Sequence, residues 1–175
     1  MEAWQVVLLI LMIALFLYIV LLFFVLSHVL EFKSRLRYRL VTLSIVMEEK
    51  RRLLKKYKAL LEQKGAEFGD EDKAALEKVN SLDLENLKYT NAKDAISTLK
   101  SATSRLAYLS QHTQNGEADP EITSFEKQIE ENERSIRQGI AGYNMDVVAL
   151  NYWCAIPLTD WLVFVIGIRK RESLN

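Results

Sequence analysis

The longest apolar stretch of the chain runs from Ala3 to Leu26 and contains no charged side chain. Gln5 is its one strongly polar residue. As a helix rising about 1.5 Å per residue it would be roughly 36 Å long, slightly more than the ~30 Å hydrocarbon core of a bilayer. The stretch therefore predicts a transmembrane helix that stays in place as an anchor. One alternative is a buried helix of a soluble protein. The other is a cleaved signal peptide, which is disfavoured by Glu2 and by the lack of a small-residue cleavage site.

A different pattern follows, with apolar residues at alternating four- and three-residue steps. The positions are Leu36, Leu40, Leu43, Met47, Leu54, Tyr57 and Leu61. Lys50 falls in the same series as its one polar interruption. This spacing predicts a long helix from Val29 to Lys64 that buries one face in a coiled coil or helical bundle. Gly65 and Gly69 would end it, and the acidic residues from Asp70 would start the next helix.

The region from Asp70 to His112 has a helical composition but a less regular apolar pattern. Asn80 and Ser81, or Tyr89 to Asn91, would each interrupt it, while Asp83 to Lys88 suits a helix start. The sequence therefore leaves open whether this region forms one helix or two. The difference matters because two helices would make the last helix return toward the membrane, whereas one would send it away.

The last long helix is predicted from Pro120 to Ala155, because Asp119 before a proline is a strong N-cap signal. Three- and four-residue spacing continues through Ile122, Phe125, Ile129, Ile136, Ile140, Val147, Leu150 and Cys154. Asn132 and Tyr143 lie on the same stripe, where buried polar groups need hydrogen-bond partners. We therefore predict that Asn132, Tyr143 and Asn144 are buried polar residues that set the register of packing.

A short apolar block follows Pro157 and ends in basic residues. It comprises Trp161, Leu162, Val163, Phe164, Val165, Ile166 and Ile168, followed by Arg169, Lys170 and Arg171. The block is too short to cross a bilayer but suits an interfacial or re-entrant segment with a basic edge. We expect Trp161, Phe164 and Ile168 at the membrane interface and the three basic residues at lipid headgroups. The alternative is that the block packs against the base of the bundle or a second copy of the chain.

Basic residues crowd one end of the predicted span, at Lys33, Arg35, Arg37 and Arg39, while the other end carries only Glu2 and the amino terminus. Basic residues near a span stay on the cytoplasmic side. We therefore predict a single-pass protein of the cell (inner or plasma) membrane, with its N terminus outside and its bundle in the cytoplasm. The same residues either contact anionic headgroups, worth about 1 kcal/mol each, or only set the topology.

Composition argues against several classes of function. With 23 basic and 23 acidic side chains the formal net charge is zero, so we expect no nucleic-acid partner. A single cysteine, Cys154, rules out an internal disulfide and a cysteine metal cage. His28 suits an interfacial position and His112 a helix C terminus, and no Glu-x-x-His pair, phosphate loop or Ser-His-Asp set occurs. We therefore predict no enzyme activity, no cofactor and no metal site.

The last third of the chain carries residues that resemble a known family. They are the run Ile122 to Ile136, the pair Tyr143-Asn144 followed by Val147, and Pro157 with an apolar stretch ending at Gly167. These features resemble the carboxy-terminal half of LemA family proteins, and the anchor followed by Leu43 to Leu54 fits the front of that family. The chain departs from the family pattern at Asn151-Tyr152, at Ile168, and in lacking a proline in the first bundle helix.

The resemblance implies a bacterial-type, single-span protein with an antiparallel four-helix soluble part, and it supplies no catalytic residues. The chain would then divide into an anchor at 1–28, a LemA-like bundle at 29–156 and a tail at 157–175. For function we favour a scaffold or adaptor that binds a protein partner, or a second copy of itself, at the cytoplasmic face of the bilayer. The alternative is a membrane-remodelling or lipid-interacting factor that uses the basic juxtamembrane segment and the apolar tail.

Overall fold

The structure, a computed structural model, describes residues 2–113, 119–156, 160–165, 167–168 and 170–174. Its helices are α1 (Ala3–Gln63), α2 (Asp70–Asn80), α3 (Tyr89–Thr113), α4 (Pro120–Trp153) and α5 (Asp160–Val165). The described residues contain no β-strand. The predicted all-α class is therefore confirmed, while the four-helix arrangement stays a prediction.

Helix α1 joins the predicted anchor and the first soluble helix without a break. It ends where the glycines predicted, because Gly65 adopts a φ of +88°, in the left-handed region that favours glycine. The amide of Ala66 then donates to the carbonyl of Leu61 at 2.9 Å, which satisfies one of the last carbonyls of the helix. One helix of the described chain, α1, is long and apolar enough to cross a membrane.

The middle region forms two helices, α2 and α3, which answers the question that the sequence left open. Residues 82–88 between them are not helical, so the suggested helix start at Asp83 is wrong and α3 begins at Tyr89. The reason is local: the Asp83 carboxylate accepts a hydrogen bond from the Asn86 amide at 3.2 Å and holds a turn. Burial of Leu84 fixes the same turn against the interior.

Helix α4 starts at the predicted cap. Asp119 Oδ1 accepts hydrogen bonds from the amides of Glu121, at 2.8 Å, and Ile122, at 3.5 Å. The ammonium of Lys64 lies 2.6 Å from Asp119 Oδ2 and, with those amides, lowers the pKa of the Asp119 carboxyl. The helix ends at Trp153, slightly before the predicted Ala155, within the usual uncertainty of helix ends.

The described chain folds as two compact units. The first combines the residues up to Arg37 with Asn144–Ser173, and the second combines Tyr38–Tyr143 with Leu174. Helices α1 and α4 contribute segments to both. The division into anchor, bundle and tail stays a prediction.

The predicted apolar stripes of α1 and α4 account for much of the buried surface. Every residue of the α1 series, Lys50 included, is buried, so that seam is confirmed. In the α4 series Phe125 and Ile140 are half-buried and the other members are buried. These stripes bury apolar area because a helix with one hydrophobic face is stable only when that face is covered.

Within the second unit, α1 and α4 make a ladder of contacts. The pairs are Lys64 with Asp119, Tyr57 with Phe125, Lys50 with Glu133, Leu43 with Gly139 and Arg39 with Gly142. Positions on α1 fall as positions on α4 rise, so these two segments run in opposite directions. Helix α3 joins them through a hydrogen bond from Ser110 to Glu126, and α2 joins α3 through Arg105, which pairs with Glu71 and Asp72.

Candidate functional site

Lys50 and Glu133 form an ion pair in which the lysine is buried and the glutamate is half-buried. The Lys50 side chain is 3% exposed, and its ammonium donates to Glu133 Oε1 at 2.7 Å. Arg137 Nη1 lies 3.5 Å from the other oxygen of the same carboxylate. Desolvation by burial lowers the pKa of Lys50, and the hydrogen bond to Glu133 opposes that effect.

A cavity of about 210 Å³ opens beside this ion pair. Its apolar lining consists of Met47, Ile96, Leu99, Ile136 and Ile140, contributed by α1, α3 and α4. The rest of its wall is charged and comes from Lys50, Lys100, Glu133 and Arg137. This half-open space combines an apolar lining with a few charged groups at one side, a combination also found in small-molecule sites.

A second polar cluster joins three helices of the second unit around Glu126. Its Oε1 accepts hydrogen bonds from the Tyr57 hydroxyl, at 3.1 Å, and from Ser110 Oγ, at 2.8 Å. The Tyr57 ring also stacks on Phe125, with centroids 6.0 Å apart. Desolvation by burial raises the pKa of Tyr57 to about 12, and the nearby Glu126 carboxylate adds to the shift.

The three residues predicted to be buried polar groups differ in their surroundings. Asn132 is buried, and its Nδ2 donates to the Val46 carbonyl at 3.1 Å. Its Oδ1 is buried without a hydrogen-bond partner among the described residues. Tyr143 is buried as well, whereas Asn144 is half-buried. Their role in setting register stays a prediction.

The residues predicted to meet lipid headgroups near the span have distinct contacts. Lys33 and Arg37 are exposed. Arg35 pairs with Glu31 one turn earlier, which partly neutralises the basic segment. In the second unit, the Arg39 guanidinium lies against Gly142, where an added Cβ would come within 3.2 Å of it.

In the first unit, Trp161 of the apolar tail contacts the predicted span. Trp161 Nε1 donates a hydrogen bond to the Tyr18 hydroxyl at 3.0 Å, so Trp161 reaches a residue well inside the apolar stretch and not only its basic end. Phe164 is 80% exposed. Ile168, by contrast, is 7% exposed and follows Gly167, whose φ is +72°; its place at the interface stays a prediction.

Asn151 makes two hydrogen bonds to the basic end of the tail. Asn151 Nδ2 donates to the Arg171 carbonyl at 2.8 Å, and the Arg171 amide donates to Asn151 Oδ1 at 2.9 Å. The side-chain amide of Asn151 therefore satisfies both the main-chain N–H and the main-chain carbonyl of Arg171. Lys170 is exposed, and Arg169 lies outside the described residues.

The remaining titratable residues considered in the sequence are His28, His112 and Cys154, and each contacts its neighbours in the fold. The His28 ring stacks on Trp153 with centroids 4.6 Å apart. His112 Nδ1 lies 2.8 Å from the Tyr108 carbonyl in the last turns of α3, as predicted for a helix C terminus. Cys154 is buried, and burial raises the pKa of its thiol. No group of His, Cys, Asp and Glu among the described residues has the geometry to hold a metal ion.

Sequence reasoning named Lys50 only as an interruption and did not identify Glu133, Glu126 or Ser110. A signal was present, because a lysine on a buried stripe needs an acidic partner, and α4 carries Glu133 next to Asn132.

Comparison of the chain with protein-family models, curated proteins and solved structures finds no match. The resemblance to the LemA family stays a prediction.

Proposed function

We propose that this is a single-pass membrane protein whose helical part acts as a scaffold for a protein partner or a second copy of itself. The proposal includes an antiparallel four-helix bundle of the LemA type, a cell-membrane location and no catalytic role. Its membrane part is supported by α1, in which none of the most apolar 18-residue window is buried. Exposed apolar surface of that extent needs a lipid or protein environment.

The scaffold role rests on one observation in the second unit. Tyr38, Val41 and Ile45 are 71%, 53% and 64% exposed and follow one another at three- and four-residue spacing on α1. Such spacing places them in one row on a helix. A row of this kind is the usual contact surface for a partner helix.

Crosslinking and purification of the full chain in mild detergent test the scaffold role. We expect a complex of defined stoichiometry that Val41→Lys disrupts, since a buried lysine would lose its hydration. The matched control is Tyr108→Lys, which places a lysine at an exposed aromatic residue of α3, away from the row on α1. It should leave the complex intact. A lone monomer in both detergent and native membranes would contradict the scaffold role.

The orientation within the proposal rests on Lys33, Arg35, Arg37 and Arg39. Reporters fused after the last residue, Asn175, test it. A cytosol-active reporter should be active, and an alkaline phosphatase, which needs an oxidising compartment, should be inactive. The reverse pattern would place the scaffold on the outer side of the membrane.

A second candidate function is direct lipid interaction, favoured by the contact between Trp161 and Tyr18. Exposed Phe164 and Val165 continue the apolar surface of the tail, and exposed Lys33 and Lys170 supply positive charge. Incubation of the purified monomer with anionic liposomes separates this function from the first. Deformation of the liposomes by a chain that forms no complex supports it, and intact liposomes contradict it.

A further inference from the structure

Lys50 is a buried cation whose hydrogen-bonding capacity is only partly used. An ammonium carries three N–H donors. Among the described residues its one acceptor is Glu133 Oε1, at 2.7 Å. The ammonium can therefore donate to a further acceptor placed in the cavity that Lys50 lines.

The charges around the 210 Å³ cavity are unbalanced. Lys50, Lys100 and Arg137 contribute three positive side chains to its wall, and Glu133 contributes one negative side chain. Glu133 is already shared, since Lys50 approaches one of its oxygens and Arg137 the other. An anion in the cavity would therefore meet a net positive wall, whereas an amine would be repelled.

The apolar lining and the volume limit what the anion can be. The aliphatic side chains that form most of the wall offer no partner to a sugar or another polyhydroxylated compound. A volume of about 210 Å³ is small for a ligand site, which limits the anion to a compact one. A compact aliphatic chain with one charged end fits both constraints.

We infer that this cavity binds a small aliphatic monocarboxylate of about the size of hexanoate. The two carboxylate oxygens would accept hydrogen bonds from the N–H groups of Lys50 that do not face Glu133, with Lys100 and Arg137 adding attraction from the rim. The hydrocarbon chain would lie against Met47, Leu99 and Ile136. The site lies within the second unit and does not depend on the proposed scaffold role.

Titration calorimetry of the full chain in nanodiscs of zwitterionic lipid tests the inference, with empty nanodiscs subtracted. Sodium hexanoate should give saturable binding at one molecule per chain. Acetate, which lacks the chain, and 1-hexanol, which lacks the charge, should each bind at least about tenfold more weakly. Equal binding of acetate would mean that the apolar lining takes no part and would overturn the inference.

Three variants assign the binding to this cavity. Lys50→Met removes the buried ammonium with little change in volume and should weaken hexanoate binding at least about tenfold. Ile140→Phe should block the cavity from its half-buried rim. Glu133→Gln keeps an acceptor for Lys50 but removes the competing negative charge, so it should tighten binding, by roughly threefold or more. The exposed Lys56→Met is the matched control and should bind as the wild type does.

The opposite directions expected for Lys50→Met and Glu133→Gln separate a binding site from a structural ion pair. If Lys50→Met does not fold, Glu133→Gln and Ile140→Phe still decide the matter. Absence of saturable binding to the wild type overturns the inference, as does unchanged binding in Ile140→Phe. Val41→Lys, which is aimed at the scaffold surface, should leave hexanoate binding unchanged, so the two proposals fail separately.

Discussion

The side-chain amide of Asn132 donates a hydrogen bond of 3.1 Å to the main-chain carbonyl of Val46, 86 residues earlier in the chain. The same amide leaves its Oδ1 buried without a partner among the described residues. One half of the side chain therefore stabilises the contact between α1 and α4, and the other half opposes it. A hydrogen bond contributes about 1 kcal/mol, whereas an unsatisfied buried acceptor costs about 1–3 kcal/mol.

We therefore expect Asn132→Leu to be as stable as the wild type or more stable, with a free energy of unfolding higher by up to about 1–2 kcal/mol. Its unfolding temperature should accordingly be unchanged or higher. Asn132→Ala, which leaves a cavity, should be less stable by a similar amount. Thermal unfolding of the full chain followed by circular dichroism measures both, and membrane fractionation should show unchanged insertion. A marked loss of stability in Asn132→Leu would mean that Oδ1 is hydrogen-bonded, for example to ordered water.

Tyr57 makes stability depend on pH at the alkaline end. Its pKa is about 12 in the fold and 10.0 in its ordinary state, so the unfolded chain loses this proton first. The stability it contributes is fully present below pH 10 and decreases as the pH rises toward 12, by about 3 kcal/mol in all. Tyr57→Phe should remove this part of the pH dependence.

Urea unfolding of the wild type and Tyr57→Phe between pH 9 and about 12 gives the comparison, because the other titrating groups are common to both. Tyr38→Phe serves as the control, since that side chain is largely exposed. Parallel pH curves for the wild type and Tyr57→Phe would show that the phenol titrates normally in the fold.

Gly142 and Gly139 should respond differently to alanine. A Cβ on Gly142 would approach the Arg39 guanidinium, the far end of a flexible side chain, at 3.2 Å. A Cβ on Gly139 would approach Cδ1 of buried Leu43 at 3.3 Å, where the surroundings can move less. Replacing a helical glycine by alanine gains up to about 1 kcal/mol. We expect most of that gain in Gly142→Ala and little or none in Gly139→Ala, measured as a shift in Tm; the reverse order would contradict the packing.

The contact between Trp161 and Tyr18 predicts where Trp161 lies in a bilayer. Tyr18 precedes Leu26, the end of the apolar stretch, by a helical rise of about 12 Å. With Trp4 and Trp153 replaced by Phe, Trp161 fluorescence should be quenched more strongly by lipids brominated deep in the acyl chain than by lipids brominated near the headgroup. Stronger quenching near the headgroup would place the tail at the surface, and no quenching would mean that lipid does not reach it.

Asn151 should control the exposure of the C-terminal segment. In Asn151→Asp the donor to the Arg171 carbonyl becomes a carboxylate oxygen, which repels that carbonyl. The Arg171 amide should then exchange its hydrogen at least about tenfold faster, because local opening costs less. Hydrogen exchange followed by NMR or mass spectrometry measures this, with the exposed Asn80→Asp as control. Equal exchange in all three proteins would show that other contacts hold the segment.

Much of the helical structure follows from sequence because its causes are local. The apolar spacing of α1 and α4 predicts the faces they bury, since helical periodicity places every third or fourth residue on one side. Gly65 and Asp119 predict a helix end and a helix start, because φ preference and side-chain capping act within a few residues. The uniform apolarity of Ala3 to Leu26 likewise predicts a helix able to cross a membrane.

The tertiary structure decided what depends on distant partners. Whether Asp70 to His112 forms one helix or two turned on the burial of Leu84, because the local signals, the turn held by Asp83 among them, did not decide between the two alternatives. The pairing of Lys50 with Glu133 and the contact of Trp161 with Tyr18 require helices far apart in sequence to meet. The charge and volume of a cavity depend on which helices pack together, so the pattern of residues along one helix does not specify them.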